Sequence, residues 1–77
     1  MKNMELIRIE LEMTQADTAA ALGISEYYYR GIESGYFNPS KKIRDKLQSY
    51  FGLSAEMLLS NRNHILEILK GGLQYGN

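Results

Sequence analysis

Three times along this chain a hydroxyl residue heads a helix-forming stretch and a glycine stands at its foot. Thr14 and Gly23 bracket the first stretch, Ser25 and Gly35 the second, Ser40 and Gly52 the third. A hydroxyl oxygen at a helix start accepts an otherwise unsatisfied backbone N–H, and glycine takes the left-handed conformation that ends a helix. Such punctuation restricts the chain to short helices that must bury their apolar faces on one another. Asp17, three residues after Thr14, is close to a capping box.

The flanks fit the same pattern. Met4, Ile7 and Leu11 recur at helical spacing and predict a first helix over roughly residues 3–12. In the fourth helix Ile43, Leu47, Tyr50 and Phe51 share one side. Ser54 opens a short fifth through Met57, Leu58 and Leu59. No strand-like alternation runs for any length. The expected fold class is all-α, a compact bundle of five helices, or six if Asn61 or Asn63 opens another. Residues 1–60 then form one domain. Residues 61–77 form a C-terminal helix and tail, with Ile65, Leu66, Ile68 and Leu69 either capping the core or meeting their copies in a dimer. Gly71-Gly72 stops that helix, and the tail reads as a natural end.

Size and composition narrow the function. The chain has 77 residues, so a single core is only just sufficient. It has no cysteine and one histidine, which leaves no metal site and no disulfide framework. His64 reads as an exposed residue near a helix start rather than a pH sensor. No cofactor is expected. Glu5, Glu10 and Glu12 spread along a surface helix with no nucleophile–base constellation nearby, so an enzyme is not expected. Nothing resembles a signal peptide or a membrane span, which points to the cytoplasm. The formal net charge is zero, yet Lys41, Lys42, Arg44 and Lys46 fall within six residues while acids gather near the start. A basic face can sit opposite an acidic back.

The informative segment runs from Thr14 to Gly35. Two short helices are joined by Gly23-Ile24-Ser25, a tight glycine turn that sets helices at a steep angle. Small Ala19 and Ala20 permit close approach. On a helical wheel, Tyr28, Tyr29 and Ile32 share a face that can bury. Glu26, Tyr27, Arg30, Gly31 and Ser34 share the other, which is polar, aromatic and flat at Gly31. Such a face can enter a major groove and meet base edges. Lys41 and Lys42 lie in the first turn of the next helix, where cations oppose the helix dipole; an arriving phosphate offsets that cost.

The residues Ile7-Arg8, Met13-Thr14-Gln15, Ala19, Leu22-Gly23-Ile24-Ser25, Tyr28-Tyr29, Ile32-Glu33, Gly35, Asn38-Pro39-Ser40, Leu47, Phe51-Gly52-Leu53-Ser54 and Leu58-Leu59 together resemble the Cro/C1-type (Xre-type) helix-turn-helix regulators. The resemblance covers roughly residues 4–60. It implies a lambda-repressor-like bundle of five helices, with the helix-turn-helix at the second and third, acting as a homodimer on palindromic double-stranded DNA. It assigns Gln15 to a phosphate contact that also braces the third helix. It assigns base reading to Glu26, Tyr27 and Gly31, with Arg30 nearby. Ser25, Tyr28, Asn38, Lys41 and Lys42 fall to the DNA backbone, and Tyr29 and Ile32 to the core. It places Arg8 and Glu33 as a partly buried ion pair linking the first and third helices.

Several residues depart from the family pattern. Glu26 repels phosphate; it either accepts a hydrogen bond from cytosine N4 or favours the helix start. Gly31 either leaves a base unread or lets backbone come close. Tyr27 is suited to a thymine methyl or a sugar. Tyr36 and Phe37 replace cations common in that loop, Thr18 replaces a leucine and so thins a helix contact, and Arg44 stands at an apolar position and points to a rotated fourth helix. Two functions follow. One is a sequence-specific transcriptional regulator, a repressor of phage or mobile-element type. The other is a protein-interaction module on the same fold, such as an antitoxin or antirepressor subunit.

Overall fold

The structure, a computed structural model, describes residues 1–61. Five helices fill that range: α1 (Asn3–Glu10), α2 (Gln15–Leu22), α3 (Glu26–Ser34), α4 (Lys41–Phe51) and α5 (Ala55–Leu59). The expected C-terminal helix, with His64, Ile65, Leu66, Ile68 and Leu69, lies outside the described residues.

The punctuation works as chemistry dictates. Thr14 Oγ1 accepts the Asp17 N–H at 3.0 Å, and the Thr14 N–H donates to Asp17 Oδ2 at 3.3 Å, which completes the capping box. Ser25, Ser40 and Ser54 each accept one first-turn N–H at the heads of α3, α4 and α5. Gly23, Gly35 and Gly52 all sit in the left-handed region. At Gly23 (φ 73°) this conformation lets the Ile24 N–H donate to the Ala19 carbonyl at 3.0 Å and sends the chain across the end of α2. Half-buried Ile24 then drops against the core.

The first helix is shorter than its spacing predicts. It stops at Glu10, and Glu12 adopts φ 58° with no glycine to mark the place. The Met13 N–H donates to the Arg8 carbonyl at 3.1 Å and closes this end. Leu11 therefore leaves the apolar face that Met4 and Ile7 define, and it is exposed.

Met4, Leu22, Tyr29, Ile32, Leu47 and Leu58 bring all five helices to one core. Ala19 is buried there, whereas Ala20 is exposed and takes no part in the close approach. Thr18 is fully buried, its hydroxyl satisfied by the Thr14 carbonyl at 3.1 Å. Ile43, Leu47, Tyr50 and Phe51 pack as their spacing predicts, and Arg44 stays exposed, so α4 needs no rotation to fit. The N-terminus closes the bundle: Asn3 Nδ2 donates to the Met57 carbonyl at 2.7 Å and Lys2 Nζ to the Leu59 carbonyl at 2.9 Å. Lys2 and Asn61 form an isolated antiparallel bridge.

Candidate nucleic-acid interface

α3 carries two opposed faces. Tyr29 and Ile32 are fully buried and fix the helix to the core. Glu26, Tyr27, Arg30 and Ser34 are exposed on the other side, as the wheel predicts. Tyr28 is half-buried at the border.

What locks α3 in place is a polar network behind it. Arg8 Nε donates to Glu33 Oε2 at 2.7 Å, and Arg8 Nη2 to Glu33 Oε1 at 3.3 Å. Arg8 Nη1 donates to the Met13 carbonyl at 2.7 Å, so one guanidinium holds both the end of α1 and the body of α3. The pair is buried. Its hydrogen bond with Glu33 raises the Arg8 pKa above the ordinary arginine value despite the cost of burial. Gln15 Nε2 donates to Glu33 Oε1 at 2.9 Å and joins the head of α2 to the same carboxylate. A carboxylate only accepts, so this contact fixes which end of the Gln15 amide faces inward. Beside the pair, the Tyr29 hydroxyl is buried without reaching hydrogen-bond geometry with a partner among the described residues. Burial, reinforced by Glu33, pushes the Tyr29 phenol well above its ordinary value.

The outward face is less open than the wheel suggests. Gly31 is buried, because the Phe37 ring folds back from the following loop and lies where a Gly31 side chain would be. The expectation of a flat, readable position at Gly31 is corrected accordingly: its role is close approach, to a ring of the same chain. Sequence reading missed this, since nothing in the spacing of Gly31 and Phe37 marks their contact. Arg30 pairs with Glu26 one turn back at 2.7 Å, with both side chains largely exposed. An exposed pair at this spacing is worth only about 0.3–0.5 kcal/mol, so either partner leaves it readily for a stronger one.

The basic cluster divides. Lys46 Nζ donates to the Leu22 carbonyl at 3.2 Å and serves the end of α2. It belongs to the fold, so the run from Lys41 to Lys46 is not one phosphate-facing set. Lys41 meets Asp45 at 3.1 Å, where its side chain is 89% exposed. Lys42 and Arg44 are exposed and enter no ion pair among the described residues. Ser25 caps α3 through the Tyr28 N–H at 3.1 Å, and Asn38 is exposed in the loop before α4. Among the described residues no group of His, Asp and Glu can hold a metal ion, and no helix is long and apolar enough to cross a membrane.

A family model described as "Helix-turn-helix" matches residues 4–58. An uncharacterized HTH-type transcriptional regulator of Methanocaldococcus jannaschii is 37% identical over 57 residues, 73% of this chain and 86% of its own length. No solved structure matches the chain significantly.

Proposed function

The chain belongs to the helix-turn-helix family, of the Cro/C1 type that its sequence resembles, and on that basis we propose that it is a sequence-specific double-stranded DNA-binding regulator of transcription. The observation that carries the reading is the clamp behind α3: Arg8, Glu33 and Gln15 tie that helix to α1 and α2 while Glu26, Tyr27 and Arg30 face outward. Such ties matter because base readout depends on hydrogen-bond geometry.

In this reading α3 lies in the major groove. Arg30 exchanges the weak Glu26 contact for a base edge or phosphate, and Glu26 is released to accept from cytosine N4. Gln15, Ser25, Tyr28, Asn38, Lys41 and Lys42 contact the DNA backbone. Lys41 is available because its partner Asp45 lies on the C-terminal side, the weaker order for an ion pair on a helix. The protein acts as a homodimer, since one recognition helix spans few base pairs and two half-sites multiply specificity. We read it as a repressor of phage or mobile-element type that works in the cytoplasm, with no catalytic step.

The test is fluorescence anisotropy on duplex DNA from upstream of its own gene, with a scrambled duplex beside it, over a salt series. Preferential binding that weakens steeply with salt supports the reading. Lys41→Ala with Lys42→Ala then lowers the log–log slope by about 2, one for each phosphate no longer neutralised. Equal, feeble binding to both duplexes favours the protein-interaction module, which zero net charge also suits.

A further inference from the structure

Phe37 is tied to α3 twice. Its N–H donates to the Gly31 carbonyl at 3.0 Å, and its ring occupies the space beside the Gly31 Cα. Three tyrosine rings surround it: Tyr27, Tyr28 and Tyr36, with centroids 5.5, 5.6 and 5.0 Å away. Tyr27 and Tyr36 remain 72% and 78% exposed. They line one shallow groove with Phe37, Gln15 and Arg30, and among the described residues no acidic side chain lines it, Glu26 reaching only the Arg30 guanidinium. The Arg30 guanidinium at its rim is held by Glu26 at 2.7 Å in an exposed, weak pair that it leaves for an anion, and the surface beside it suits an anion that also presents apolar groups.

We propose that Tyr27, Tyr36 and Phe37 form an apolar reading surface for thymine C5-methyl groups in the major groove, and that Gly31 yields its side-chain space so that Phe37 can complete it. The proposal rests on the DNA reading above. The thymine methyl is the apolar group on the major-groove edge, where the other bases present donors and acceptors. The ring faces cannot answer those polar groups but do remove a methyl from water, while the Tyr27 and Tyr36 hydroxyls stay at the ring tips. Arg30 at the rim supplies the charge that keeps the surface against DNA. The reading surface is thus α3 together with the loop that follows it.

The probe is the set of duplexes that the full chain enriches from a random-sequence pool, remade with deoxyuridine replacing thymine one position at a time. At a thymine held on these rings, loss of the methyl weakens binding about four-fold, the ratio expected for one apolar carbon taken out of water. The double variant Tyr27→Ser, Tyr36→Ser, whose altered side chains lie outside the core, no longer distinguishes deoxyuridine from thymine. Equal binding of both duplexes by the unaltered chain overturns the proposal and leaves the DNA reading standing. Full discrimination retained by the double variant overturns it too. Failure to enrich any duplex removes both readings. A double variant that changes only sedimentation mass, with no thymine preference before or after, assigns the patch to self-association and overturns the proposal.

Discussion

Glu33 Oε1 accepts from both Arg8 Nη2 and Gln15 Nε2, at 3.3 and 2.9 Å, so one oxygen atom joins the first three helices. Removing either charge strands the other in the interior. Glu33→Ala is expected to cost about 3–5 kcal/mol. Arg8→Met combined with Glu33→Leu is expected to cost far less, because it removes both charges and keeps volume. Urea denaturation of the unaltered chain, Glu33→Ala, Arg8→Met, Glu33→Leu and the Arg8→Met, Glu33→Leu double variant measures this. A double variant as unstable as the sum of the single changes would refute the pairing.

Gly31→Ala forces the new methyl into the Phe37 ring. Overpacking of this kind costs about 1–3 kcal/mol. Adding Phe37→Ala vacates the space, so the double variant is less destabilised than the sum of its parts. Thermal melts of the two single variants and the double variant read the coupling directly.

Glu12 holds φ 58°, a conformation that costs a residue with a Cβ about 1–2 kcal/mol. Glu12→Gly relieves that strain but adds freedom to the unfolded chain, which returns part of the gain. The expected net is a stabilisation of about 0.5–1 kcal/mol, or a Tm higher by a few degrees in a domain of this size. An unchanged or lower Tm counts against the strain.

Tyr29 has a raised pKa because its neutral phenol is buried beside Glu33. The unfolded chain therefore ionises this phenol first as pH rises past about 10. Stability from this group is complete below that pH and is lost toward the higher folded value, the folding constant falling by up to about tenfold per pH unit. Tyr29→Phe removes this contribution, so its stability declines less between about pH 10 and 11.5. Near neutrality it is expected to match or exceed the unaltered chain, since the lost hydroxyl has no hydrogen-bond partner among the described residues. Denaturation midpoints near neutrality, at about pH 10 and at about pH 11.5 test the two halves separately.

Local sequence suffices to locate most helix ends. Caps at Thr14, Ser25, Ser40 and Ser54 and stops at Gly23, Gly35 and Gly52 act through neighbouring backbone, so spacing along the chain finds them. The same is true of which side of α3 is buried, because the helical period alone sorts Tyr29 and Ile32 from Glu26 and Arg30. The Arg8–Glu33 pair was legible only through family resemblance. The remaining features exist only in the folded chain. Glu12 turns left-handed where Arg8 gathers the chain at Met13, Lys46 leaves the basic cluster for the Leu22 carbonyl, and Phe37 fills the place of a Gly31 side chain. Each depends on groups brought together by packing. Periodicity describes one helix at a time and carries no information about what a neighbouring loop or helix lays over it.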